Sequence, residues 1–175
     1  MSQLRLAGAA DAAQIAAIDV RAWWHGYREF LDEQRLSERD AVELTGVWAA
    51  RLVAHGTGET WVLEVAGRVA GYVSLGPSRD ADADAVTGEV YALYVDPPAQ
   101  GAGAGTRLLE NACALLRERG FGLAVLWTFE QNGLGRAFYE RYGWLVDAAG
   151  AGGVANDGCE SWAPAVRYKR SLDPA

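Results

Sequence analysis

The period of apolar and polar positions changes several times along the chain, and each change marks a predicted element. Residues 4–6 read as a short strand, after which Asp11 caps a helix carrying Ile15, Ile18, Ala22 and Tyr27 on one face. Ser37 with Asp40 resembles a capping box and opens a second helix with Val42, Thr45, Trp48 and Leu52 inward, expected to stop near His55 and Gly56. The period then drops to two. Residues 61–65 and 69–75 are β-rich runs separated by Gly67 and Arg68, the pattern of a tight hairpin.

Residues 77–87, rich in Asp, Ala, Ser and Gly, read as a solvated loop, and residues 89–95 as a strand ended by Pro97 and Pro98. Past the glycines at 101, 103 and 105, Leu108, Leu109, Ala112, Leu115 and Leu116 recur at helical spacing, with Gly120 as a stop. The nearly continuous apolar run 123–128 suits a buried strand parallel to the one before that helix, which makes 89–128 a βαβ crossover. A helix over 132–142 capped by Asn132, short strands at 144–146 and 165–169, and a loop over 148–158 complete the order βααβββαβαββ. The expectation is one mixed α/β domain, an α+β mixed sheet spanning 1–175, since 175 residues bury a sizeable core without staples.

Composition narrows the chemistry. Half the residues are apolar and 22% charged, as in a folded globule, and no apolar run approaches the roughly 20 residues of a membrane span. The N-terminus lacks a basic region followed by an apolar stretch, so a cytoplasmic location is expected. Cys113 and Cys159 are the only cysteines, and neither they nor His25 and His55 form a metal-ligand or nucleophile pattern; no metal is expected. A net charge of -7 without a basic cluster argues against nucleic acid as a partner and suits a neutral or cationic substrate.

The segment Gln100-Gly101-Ala102-Gly103-Ala104-Gly105-Thr106 lies where a strand hands over to a helix. Glycines there let backbone N–H groups approach an anion, and the helix N-terminus adds partial positive charge, which favours a phosphate or pyrophosphate. It is neither a Walker loop, since no Gly-Lys-Ser/Thr follows, nor a dinucleotide fingerprint, since the third glycine is missing. Taken alone it is as compatible with a plain tight connection.

Its neighbours add a resemblance. Gln100-x-x-Gly103-x-Gly105, directly after Leu93-Tyr94-Val95-Asp96-Pro97, is similar to the acyl-CoA loop of the GNAT N-acetyltransferase superfamily. Leu126-Trp127-Thr128, Asn132 and then Arg136-Ala137-Phe138-Tyr139-Glu140-Arg141-Tyr142-Gly143-Trp144 resemble the next strand and helix of that superfamily, and the likeness is close over residues 59–147. It implies a central, mostly antiparallel sheet with a splayed parallel strand pair and flanking helices. It also implies acetyl-CoA as co-substrate, with Leu93, Tyr94 and Val95 pairing the pantetheine arm. Gln100, Gly101, Ala102, Gly103, Ala104, Gly105 and Thr106 would hold the pyrophosphate, and Asn132 and Phe138 would contact the cofactor from the following helix.

The resemblance further implies transfer of an acetyl group to a primary amine, of a small molecule or a protein N-terminus, by direct attack in a ternary complex. Tyr139 would protonate the departing thiolate, and a backbone N–H near Tyr94 or Val95 would stabilise the oxyanion. Glu89 stands where some members place the general base. Each has a plainer reading: Tyr139 as packing beside Phe138, Glu89 as a solvated charge at a strand start. Ala102 replaces a common Arg or Lys and Ala104 a larger residue, which predicts weakened CoA binding, with Arg107 or Arg136 supplying positive charge. The acceptor side is expected from residues 23–36 and 148–162. A non-catalytic acyl-CoA sensor is the alternative reading, and homodimerisation is left open by the resemblance.

Overall fold

The computed structural model describes residues 2–54, 56–148 and 164–173. The chain divides into two compact units, Met1–Ser74 with Ala92–Asn111, and Leu75–Tyr91 with Ala112–Ala175. Its elements run β1 (Ser2–Leu6), α1 (Ala12–Tyr27), α2 (Glu33–Ser37), α3 (Ala41–Val53), β2 (Glu59–Val65), β3 (Arg68–Pro77), β4 (Thr87–Val95), α4 (Ala104–Glu118), β5 (Leu123–Phe129), α5 (Gly133–Arg141), β6 (Leu145–Val146) and β7 (Ala165–Ser171). The strands form one seven-stranded sheet in the order β1-β2-β3-β4-β5-β7-β6. The mixed, mostly antiparallel class expected from the sequence is what the chain adopts, with β4 and β5 as its parallel pair.

In the first unit, β1 pairs antiparallel with β2 from Ser2↔Val65 to Leu6↔Trp61. Ile15, Ile18, Trp48, Val62 and Tyr72 form its buried core, with Leu44, Leu52, Ala92 and Tyr94 packed against them. Two local readings need correction. Asp11 does not cap α1: its carboxylate accepts from Arg5 and from the Gly8 amide, stabilising the turn ahead of the helix. Ser37 closes the short helix α2 by donating to the Gln34 carbonyl, whereas Asp40 alone caps α3 by accepting from the Val42 and Glu43 amides. That shift of the start leaves Val42 at 82% exposure instead of in the core.

The hairpin turn sits one residue earlier than expected, at Ala66 (φ 51°) and Gly67 (φ 78°), because Arg68 already belongs to β3. Two consecutive left-handed residues make a type I′ turn, whose hand matches the twist of the flanking strands. Glycine takes this conformation freely, but the Ala66 Cβ makes it costly. Ala66→Asn is therefore expected to stabilise the protein by about 0.5–1 kcal/mol, read as a rise of about 2 °C in Tm. An unchanged or lower Tm would show that the turn carries no such strain.

In the second unit, β4 and β5 run parallel from Thr87↔Leu123 to Val90↔Leu126. β5 continues to Phe129, paired antiparallel with β7 from Leu123↔Ser171 to Phe129↔Ala165. The remainder of β4 lies outside the parallel register. Leu116, Ala124, Leu126, Trp144 and Tyr168, each exposed by 1% or less, build the core of this unit. Gly88 admits α4 closely: a Cβ there would lie 2.7 Å from Leu116 Cδ2.

Candidate functional site

The residues singled out in the sequence divide between the two units. In the first, β4 ends at Val95 and the chain turns through Gly101 (φ 78°) and Gly103 (φ 82°) into α4. Those angles explain the glycines: no side chain crowds either position, but a Cβ would strain the backbone at both. The first intrahelical bond is Arg107 N–H to the Gly103 carbonyl at 3.1 Å. The amides of Ala104 and Gly105 thus precede the helical ladder and lie at its positive end, beside exposed Gly101, Ala102 and Gly103. Gln100 braces the turn by donating from Nε2 to the Val95 carbonyl at 3.2 Å, and Asp96 accepts both nitrogens of Arg21 from α1.

Leu93 and Tyr94 are half-buried at the end of β4, where the strand lies outside the parallel register with β5. Gly71 on β3, which sequence reasoning passed over, sets the position of this segment. A Cβ on Gly71 would lie 2.7 Å from the Tyr94 carbonyl oxygen and 3.1 Å from the Val95 Cα. A lone glycine inside an apolar strand is the available signal for such an approach.

In the second unit, Asn132 caps α5 with Oδ1 accepting from the Gly135 amide at 3.0 Å, while Nδ2 donates to Thr128 Oγ1 at 3.1 Å. Gly135 has to be small, since a Cβ there would fall 2.4 Å from Asn132 Nδ2. Phe138 packs on Tyr139 and Tyr142 at ring separations of 5.4 and 5.1 Å. Tyr139 is surrounded further by Trp144 at 6.3 Å and Tyr168 at 6.1 Å. Burial pushes its phenol up to about 12, so the hydroxyl keeps its proton across the working pH range.

Glu89 is not a solvated strand-start charge. It is 1% exposed, and Arg79 binds both its oxygens: the backbone amide reaches Oε2 at 2.8 Å and Nη2 reaches Oε1 at 2.7 Å. The Arg79 guanidinium also lies 4.2 Å from the Tyr91 ring centre. Arg107 and Arg136, expected to offset the uncharged loop, are engaged elsewhere: Arg107 donates to Ser2 Oγ, and Arg136 to Tyr168 Oη and the Glu130 carbonyl. His55, Cys159 and residues 149–162 of the expected acceptor side lie outside the described residues. Trp23 of that region is a core residue, 2% exposed, with the Arg39 guanidinium 3.7 Å above its ring.

Among the described residues no cluster of His, Cys, Asp and Glu is arranged to hold a metal ion, and no helix is long and apolar enough to cross a membrane. Known proteins place this architecture. An uncharacterised N-acetyltransferase of Bacillus subtilis (strain 168), YuaI, is 30% identical over 142 residues, 81% of this chain and 79% of its own. The paia N-acetyltransferase of Thermoplasma acidophilum, solved with coenzyme A, shares the fold at a TM-score of 0.76 and 16% identity, over 98% of this chain and 99% of that one. The yncA protein of Salmonella typhimurium, solved with its cofactor acetyl-CoA, superposes at a TM-score of 0.71 with 26% identity, over 100% of this chain and 96% of that one. The family description "Acetyltransferase (GNAT) family" matches residues 19–144, and with these relatives it establishes that this chain belongs to the GNAT acetyltransferase family.

Proposed function

We propose that this chain is a cytoplasmic N-acetyltransferase that moves the acetyl group of acetyl-CoA to a primary amine of a small molecule or a protein N-terminus. The observation that carries the reading is the turn after β4. Two exposed, left-handed glycines lead the chain into the N-terminus of α4, an arrangement that suits a pyrophosphate. Gln100, Gly101, Ala102, Gly103, Ala104, Gly105 and Thr106 hold the pyrophosphate in this reading. Leu93, Tyr94 and Val95 offer backbone groups to the pantetheine arm, and Asn132 keeps one Nδ2 hydrogen for a ligand after its bond to Thr128. Phe138 lends apolar surface.

The neutral amine attacks the thioester carbonyl carbon, the C–N bond forms, and the C–S bond breaks with its electrons going to sulfur. Tyr139 gives its phenolic proton to that sulfur and regains one from solvent, while the proton shed by the amine goes to the base. Glu89 is the carboxylate assigned to that step, acting through water, and Arg79 competes for its oxygens. Without a covalent intermediate, both substrates occupy the protein together.

The test is calorimetric titration with acetyl-CoA, followed by thiol release in the presence of polyamines, amino-acid derivatives and short peptides. Saturable binding with amine-dependent release is expected. Binding without release under any amine would favour an acyl-CoA sensor, and absence of binding would overturn the reading.

A further inference from the structure

α5 carries the proposed acid, and outside the aromatic contacts of Phe138 and Tyr139 its hold on the rest of the unit is polar. It is nine residues long and none of them is fully buried, whereas an isolated helix of that length is only marginally stable. Its start is held by the Asn132 cap and by Arg136 Nη1 donating to the Glu130 carbonyl. Beside the ring contacts of Tyr139 with Trp144 and Tyr168, one hydroxyl ties two further side chains of the helix to the sheet. Arg136 Nε donates to Tyr168 Oη at 3.1 Å, and the same hydroxyl donates to Glu140 Oε1 at 2.7 Å.

Arg136 and Glu140 are four residues apart, so they stand one above the other on the same helix face. Tyr168 itself does not move easily. It is wholly buried in β7, opposite Leu126 of β5 on one side and Val146 of β6 on the other. Its ring lies 6.1 Å from that of Tyr139 at 44°. One sheet residue thus grips the helix at two points and touches the ring between them.

We propose that Tyr168 is a positioning residue for Tyr139: the Arg136–Tyr168–Glu140 clamp sets the rotation of α5 and with it the place of the Tyr139 hydroxyl. The inference rests on the reading of Tyr139 as the acid. A phenol acts as an acid only within hydrogen-bond reach of the departing sulfur, and a misplacement of about 1 Å costs on the order of a hundred-fold in rate. Glu140 is exposed and Arg136 half-buried, so both are solvated when the clamp is cut, and the loss falls on geometry more than on stability.

Tyr168→Phe keeps the ring and removes the clamp; Glu140→Ala cuts one arm from the surface with little risk to folding, and Glu140→Gln restores an acceptor. The rate readout is thiol release from saturating acetyl-CoA, with water and then a panel of amines as acceptor. Tyr168→Phe is expected to lower kcat about ten-fold and to change KM for acetyl-CoA no more than about two-fold, with Glu140→Ala following in the same direction and Glu140→Gln recovering most of the loss. In a Tyr139→Phe background, Tyr168→Phe is expected to have no further effect, since a residue acting through another is silent once that one is gone.

A second readout does not depend on turnover. In protein labelled with 3-fluorotyrosine, the Tyr139 fluorine resonance, identified by its loss in Tyr139→Phe, should shift or broaden in Tyr168→Phe and Glu140→Ala. A Tyr139 resonance unmoved in both variants would overturn the clamp, as would a Tyr168→Phe loss that adds in full to that of Tyr139→Phe. Full activity of Tyr139→Phe would instead overturn the reading of Tyr139 while the resonance still judged the clamp.

Discussion

Replacing Tyr139 with phenylalanine is expected to lower turnover by about a hundred-fold to a thousand-fold and to leave KM for acetyl-CoA within about two-fold, because a positioned acid acts in the transition state and adds nothing to ground-state binding. Phenylalanine keeps the ring contacts to Phe138, Trp144 and Tyr168, so the fold has no reason to change. Only the O–H is lost. Burial alone raises the Tyr139 phenol to about 12, and the protonated form is the donor. A raised value extends the donor form upward, so the wild-type rate should show no alkaline decline from this group as pH passes the ordinary phenol value of about 10. Thiol release at saturating acetyl-CoA, followed across pH in both proteins, checks both statements. A Tyr139→Phe protein as fast as wild type would remove Tyr139 from the chemistry.

Arg167→Met should cost about 3 kcal/mol of folding stability, or about 6 to 12 °C in Tm, because it strips a buried cation from buried carboxylates. The Arg167 side chain, 7% exposed, reaches Asp80 at 2.9 Å and Asp147 at 2.8 Å, which are 5% and 8% exposed, and also the solvated Asp82. Trp127 Nε1 donates to Asp80 at 2.9 Å and Lys169 to Asp147 at 3.0 Å, which softens the loss without replacing the charge of Arg167. Asp82→Asn, on an exposed carboxylate, should cost far less. The pair of variants separates desolvated charge from mere ion-pair count.

The same network sets an acid limit. Burial pushes the Asp147 carboxyl up, but hydrogen bonds from Lys169 and Arg167 outweigh it and hold the group below the ordinary carboxylate range; the hydrogen bond from Arg167 does the same for Asp82. A carboxyl lowered in the folded state contributes its full stabilisation above the unfolded value near about 3.9 and loses it as pH falls through the lower folded value. Wild-type stability should therefore decline below about pH 4, and more steeply than that of Arg167→Met. Urea unfolding at neutral and acid pH measures both. Equal midpoints for the two proteins at neutral pH would show that the network contributes nothing.

Much of the fold was legible because the signals were local. Apolar alternation, and for β5 a continuous apolar run, located every strand among the described residues within two residues, and Asn132 and Gly143 bracketed α5 as read, because capping and left-handed stops are decided by neighbours in sequence. Where two local signals competed, reading failed: Ser37 and Asp40 both suit a cap, and only the extra helix α2 decided for Asp40. The glycine turn and the order of its neighbouring motifs were likewise legible, since positive φ is a property of single residues. The insertion of β7 between β5 and β6 was not, because no short-range pattern encodes which strand edges meet.

By itself, then, the amino-acid sequence determined the succession of strands and the family and singled out the glycine turn, all of which follow from neighbours and spacing. Tertiary structure alone decided the electrostatic standing of those residues. Glu89 and Arg79 lie ten residues apart, Arg167 and Asp80 eighty-seven, and Tyr168 and Glu140 twenty-eight; their pairing exists only once the sheet is assembled. Burial and partner choice depend on atoms brought together from distant parts of the chain, so a carboxylate that the sequence left between a base and a solvated charge becomes an enclosed ion pair, and a terminal-strand tyrosine becomes the hydroxyl that holds the helix of Tyr139.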